Sequence, residues 1–383
     1  MDEPGKVLVT QWLDPLLAEL PGLSFFDAHT HIGSNDPDGA RCTAEELLAL
    51  LATVDARAVV FPMREPDGYP EANDRVVSEA AASEGRLVPF CRLDPHEDPV
   101  GEASRCVERG ARGIKLHPRE EAFALDAAPV RQIFTFAHER RLPVLIHAGR
   151  GIPALGRHSL DLAAEFPDSR VILAHAVVSD VSWIWGHLAD HPNVFIDTSW
   201  WNPVDLVTLF AYVPPGRILF ASDAPYGMPV MNAILTLRCA LQVGLSAEQV
   251  TTVMGDQLDR LLAGKKPIDT GPAPGPPDIA TDLILDRVFA YLIVGLGRLI
   301  AGAPADEMVA LARLGCTVDD QAPQAPVCRA MAVLIDLGEQ MASASTDLTT
   351  PSPQRLAALG PLLLAATLAA TPRVPVPATL AAV

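Results

Sequence analysis

The feature that most constrains this chain is an alternation: eight short apolar runs, each followed by a longer amphipathic stretch. The runs fall at 25–33, 57–64, 87–94, 112–117, 143–149, 171–176, 193–199 and 217–224. Helix-like periodicity lies between them, near 43–53, 71–84, 100–109, 128–140, 157–165, 180–190, 203–211 and 229–243, with Thr43 and Asp180 placed as N-caps. Strands alternating with helices imply right-handed crossovers and a parallel sheet. An open doubly wound sheet usually carries a Gly-rich phosphate loop after its first strand, and no such loop follows Gly33. Eight units in about 240 residues match a closed (β/α)8 barrel.

Composition changes after Gly264. Residues 267–277, Pro-Ile-Asp-Thr-Gly-Pro-Ala-Pro-Gly-Pro-Pro, cannot be helical and read as a stiff linker. Four helix-like apolar segments follow, near 279–301, 305–314, 325–343 and 354–370, and 371–383 reads as a frayed tail. The organisation expected is therefore a barrel over 1–264 with a short N-terminal helix near 11–20, a linker over 265–278, and a small helical domain over 279–383 whose reading is packing or interaction.

Chemistry in a (β/α)8 enzyme gathers at the C-terminal ends of the strands, which sorts the ten histidines. His29 and His31 end the first strand, with Asp27 two residues before; alternation presents the two imidazoles on one side. His117, His147 and His175 end the fourth, fifth and sixth strands, and Asp223 closes the eighth. His96 and His158 could reach the pocket from loops, while His138, His187 and His191 read as solvated. Five strand-end histidines and an aspartate on one rim point to a metal site.

Asp27-x-His29-x-His31, His147, His175 and Asp223 together resemble the amidohydrolase superfamily of metal-dependent enzymes. The segment Gly113-Ile-Lys-Leu-His-Pro118 and the ending His147-Ala-Gly149 are similar to the subgroup that includes aminocarboxymuconate-semialdehyde decarboxylase. The resemblance covers about residues 23–262 and leaves the C-terminal third unmatched. It implies that His29, His31, His147 and Asp223 hold one divalent ion, most often Zn2+, with His175 beside it as acid/base and Asp223 as acceptor of a proton from an activated water. Asp27 either orients one of the histidines or binds a backbone amide. Lys115 should point into the barrel with His117, as partner of a substrate carboxylate or buried acid; binuclear members suggest the alternative of a lysine carbamate bridging two ions.

Arg64, Arg92 and Arg150, at or just past strand ends, are candidates to clamp a substrate carboxylate, and Trp200 and Trp201 could form an aromatic wall. These residues favour a small acidic or ring-bearing substrate. The expected reaction is hydrolysis of an amide, lactone or ester; non-oxidative decarboxylation on the same residues is the alternative, and a non-catalytic scaffold is the third reading. The net charge of -18 argues against nucleic acid and anionic membranes. No apolar stretch is long and uncharged enough to span a bilayer. With no secretory pattern and six scattered cysteines, a cytoplasmic location with reduced thiols is the expectation, and homo-oligomerisation is left open.

Overall fold

A computed structural model describes residues 8–37, 39–277, 282–344 and 353–377. Nine parallel strands occur among them: β1 (Phe26–Ile32), β2 (Arg57–Pro62), β3 (Leu87–Pro89), β4 (Cys91–Arg92), β5 (Ile114–Leu116), β6 (Pro143–Ile146), β7 (Arg170–Leu173), β8 (Val194–Asp197) and β9 (Ile218–Leu219). They run in chain order, β1 to β3 in one ladder and β4 to β9 in another. β3 and β4 are halves of the single run expected over 87–94, interrupted at Phe90. Backbone bonds from the Ala28 amide to Phe220 (2.8 Å), the Asp223 amide to His29 (2.9 Å) and the His31 amide to Ala224 (2.8 Å) carry the pairing from β9 back to β1.

The helices between strands are Ala44–Leu51, Pro70–Ala82, Pro99–Glu108, Ala128–Arg140, Leu155–Glu165, Val181–Ile184, Pro203–Tyr212 and Pro229–Gln242. Thr43 starts the first with a reciprocal capping box to Glu46. Asp180 does not cap its own helix: its carboxylate accepts the Gly156 amide at 3.0 Å, tying two connections together. Two apolar layers result. Phe26, Val59, Phe61, Phe90, Leu145, Ile172, Phe195 and Leu219, drawn from strands all around the ring, pack on one another together with Leu258 and Leu261. The alternate strand residues, such as Val60, Val144, Val171 and Ile218, pack outward against the helices.

Beyond the barrel, helices Leu283–Ile300, Asp306–Gly315, Ala325–Ala344 and Pro353–Ala370 pack on one another; the expected start of the first, at 279–281, lies outside the described residues. The helix Pro353–Ala370 also lies against the barrel helices Pro203–Tyr212 and Pro229–Gln242, so one apolar core runs through both parts. The proline-rich stretch is extended and held along the barrel: the Ile268 amide donates to Gln257 at 2.8 Å and the Gly275 amide to Ala211 at 3.0 Å.

The tail expected to fray does not do so over its first residues. Thr371 and Val374 are buried. The guanidinium of Arg238, itself buried, donates to Thr371 Oγ1 (3.0 Å) and to the carbonyls of Thr371 (3.2 Å), Val374 (2.9 Å) and Pro375 (3.0 Å). Local sequence around Thr371 is breaker-rich, and distant barrel-helix groups hold that stretch, Arg238 together with Gln242, which accepts the Arg373 amide at 3.0 Å; 378–383 lie outside the described residues. All six cysteines are free and buried. No helix among the described residues is long and apolar enough to cross a membrane.

Candidate metal centre and cavity

The C-terminal ends of β1 and β9 meet at three donor atoms. His29 Nε2 lies 3.2 Å from His31 Nε2 and 3.2 Å from Asp223 Oδ1, and His31 Nε2 lies 3.1 Å from the same oxygen. Atoms bound at ~2.0–2.2 Å to a common ion sit roughly 3 Å apart, so the triangle has the size of one face of a divalent-metal shell. Its chemistry agrees. His29 Nδ1 is 2.9 Å from Asp197 Oδ2, which fixes the proton on Nδ1 and leaves the Nε2 lone pair facing the other two donors. Three acceptors so placed repel one another unless a cation joins them. Burial, with Lys115 nearby, holds both imidazoles well below their ordinary range and therefore in the neutral, ligating form. Burial pushes the Asp223 carboxyl up to about 6, against the pull of His175 and Lys115.

His147 stands outside this triangle, so three of the four residues expected to hold an ion converge here. Its ring stacks on His117 (centroids 3.8 Å apart, planes at 18°) and its Nδ1 is 3.0 Å from His175 Nε2. Its Nε2 is turned toward the backbone at Gly149, where a Cβ would come within 2.6 Å of it. His175 is tied through Nδ1 to the Ser199 carbonyl at 2.8 Å. It thus faces the cavity beside the triangle, in a chain His147–His175–Ser199.

The residue that organises this arrangement was not among the sequence candidates. Asp197, buried at the end of β8, gives Oδ2 to His29 and Oδ1 to the backbone amides of His175 (2.9 Å) and Ser199 (3.0 Å) and to the Ser199 hydroxyl (2.5 Å). His175 and Asp223 both have left-handed backbones, φ 58° and 60°. Such conformations cost non-glycine residues about 1–3 kcal/mol and persist only where surroundings hold them. Asp197 holds the first through its amide, and the His29 carbonyl holds the second.

Asp27 takes the backbone-amide role: its Oδ1 accepts the amides of His29 and Ser222, both at 3.0 Å. The β1–β2 pairing slips between Asp27 and Thr30, a break in the strict alternation along β1. Lys115 does point inward. It is fully buried, 4.7 Å over the Phe61 ring, with Nζ 3.3 Å from His29 Nε2. Burial, then repulsion from Arg92, pulls its amine down to about 8.

Arg92 is not available to a substrate. Its buried guanidinium bonds Glu120 and Glu121 (2.6 Å to the latter) beneath the Tyr69 ring. Arg64 is half-buried at the end of β2 and does not line the cavity. His117 is occupied by Glu120, whose amide donates to its Nδ1 at 3.2 Å. Neither His96 nor His158 lines the cavity; the first pairs with Asp94 and the second lies 4.0 Å from Asp126.

Above the triangle opens a cavity of about 840 Å³. Arg150, Trp200 and Trp201 line it, and so do two arginines that the sequence did not single out, Arg41 and Arg119. Trp200 is oriented by its Nε1–H, which donates to Asp205 at 2.6 Å. Apolar side chains line it too: Met228 and Met231 from the barrel, and Leu296, Ile300, Leu359 and Leu363 from the C-terminal helices.

A family model described as Amidohydrolase matches residues 26–256. The chain belongs to the amidohydrolase family. As an amidohydrolase-family enzyme it shares its fold with solved structures at low identity. The 2,6-dihydroxybenzoate decarboxylase of Rhizobium is similar at 16% identity and TM-score 0.52, over 63% of this chain and 99% of that one. A putative amidohydrolase from Staphylococcus aureus matches at 16% identity and TM-score 0.51, over 63% of this chain and 100% of that one. The IDCase of Metarhizium anisopliae matches at 13% identity and TM-score 0.51, over 63% and 97%. No curated protein matches the chain. The family match ends before the C-terminal helices, which are this amidohydrolase's addition to the shared barrel.

Proposed function

We propose that this enzyme hydrolyses an amide, lactone or ester bond of a small carboxylated substrate, using one divalent ion held by His29, His31 and Asp223. The observation that carries the reading is the triangle of converging acceptors, with sides of 3.1–3.2 Å, open to a cavity rimmed by arginines. A divalent ion there, zinc being the ordinary choice for two imidazoles and a carboxylate, supplies Lewis acidity and an acidified water. The protein's own groups do the rest. Asp223, at one corner of the triangle, would accept the water's proton, and His175, its Nδ1 held by the Ser199 carbonyl, would carry that proton at Nε2, in place of its contact with His147, to the leaving group. Arg119 and Arg150 hold the substrate carboxylate at the cavity's rim.

Decarboxylation is the second reading, supported by the names of two proteins alike in fold, the 2,6-dihydroxybenzoate decarboxylase and the IDCase. The two separate in one experiment. Metal-loaded enzyme is offered lactones and amides of carboxylic acids and, in parallel, hydroxybenzoates, with the cleavage products followed by chromatography and carbon dioxide evolution followed together. Appearance of the free acid without carbon dioxide supports hydrolysis, and carbon dioxide evolution replaces that reading with the second. Turnover that survives both chelation and His31→Ala would overturn either.

A further inference from the structure

We propose that the C-terminal helices select the substrate, by building an apolar subsite that takes a hydrocarbon portion of a carboxylate held at the arginine rim. This rests on the function proposed above and adds the class of substrate to it: a monocarboxylate with an extended alkyl or aryl body. Three observations lead there. Leu296 and Ile300, at the end of Leu283–Ile300, and Leu359 and Leu363, in Pro353–Ala370, line the same cavity as Arg119, Arg150 and Asp223. Ile300 keeps 45% of its surface exposed although it belongs to a helix packed on two others. The family match stops at residue 256, so this wall is supplied by a part of the chain outside the common barrel.

The cavity's lining is mixed in chemistry. Arg41, Arg119 and Arg150 line it together with Glu46 and Asp223, in a protein whose net charge is -18, and the arginines offer a carboxylate its complement. Methionine and leucine side chains line it as well and offer only area. A purely polar small acid would leave that wall wet, whereas each methylene laid on it gains about a fourfold tighter association. The close approach of Gly360 to Met231 (an added Cβ would lie 3.4 Å from its Cε) shows the helix pressed against the barrel at this point, so the wall is fixed rather than provisional.

The test is calorimetric titration of the full-length, metal-loaded protein with butanoate and with octanoate. Octanoate is expected to bind at least tenfold more tightly. Leu363→Gln should remove most of that gain and leave butanoate affinity within about twofold; Ile300→Gln, at a more exposed position, gives the same reading should the first variant fold poorly. Equal affinity for the two acids in the wild type, an undiminished gain in both variants, or no binding of either acid overturns the proposal. None of these outcomes touches metal content or the metal dependence of turnover, on which the hydrolase reading stands or falls separately.

Discussion

Asp197 spends one carboxylate on both histidines at the heart of the site, through the His29 ring and the His175 backbone. Replacing it with Asn puts an amide where two acceptor oxygens are needed. Asp197→Asn is therefore expected to weaken metal affinity about 10–100-fold, measured by competition with a chromophoric chelator. His31→Ala should lose the ion outright, while His147→Asn, which removes a ring engaged with His117 and His175, should keep it; elemental analysis showing loss in both would return His147 to the shell. Lys115 sits against the triangle as an amine, so Lys115→Ala should retain one ion per chain, and two ions lost together in that variant would establish the carbamate. At this scale the sequence was informative about position and poor about partners. Strand ends name the histidines and Asp223, because chemistry collects there in any such barrel. Asp197 also ends a strand, and the rule that found His175 could have found it. Its role is set by partners outside its own strand, as is the capture of Arg92 by Glu120 and Glu121.

The stretch after the helix Pro353–Ala370 takes four of its bonds from a single guanidinium. Arg238 is buried among carbonyls and a hydroxyl, and burial pulls it down to about 10. Arg238→Ala leaves those carbonyls without their donor and should cost about 3 kcal/mol. Local opening then rises on the order of a hundredfold. Tryptic cleavage at the exposed Arg373, followed by mass spectrometry, reads that opening directly, and an unchanged cleavage rate would show the arginine to be incidental. Elements themselves were the most legible level: hydrophobic period and N-cap chemistry placed the barrel strands and helices close to where they lie. Contacts between distant elements carry no such period, which is why Thr371 read as loose.

The whole molecule is a barrel and a helical addition that share one apolar core and one cavity. Any ion that binds only the folded state stabilises it by mass action, about 2.7 kcal/mol at a hundredfold excess over the dissociation constant. For a chain of this length that corresponds to roughly 3 °C in Tm. Melting with and without chelator should show the shift, and restored metal should reverse it; a Tm indifferent to chelation would argue that the triangle holds nothing. Fold class followed from counting alternations along the chain. The roof over the cavity did not, since nothing in four apolar helices states which face of a barrel they will cover.

Arg238 is translated well before the groups it binds at Thr371, Val374 and Pro375. At ~5–20 residues per second, the roughly hundred residues between Leu262 and Val374 leave the ribosome over about 5–20 s. For that interval the barrel has all its strands but carries a bare apolar flank and a buried-to-be cation still in water. The nascent protein is thus adhesive after its barrel strands are complete, and its dependence on chaperones should be concentrated in those seconds.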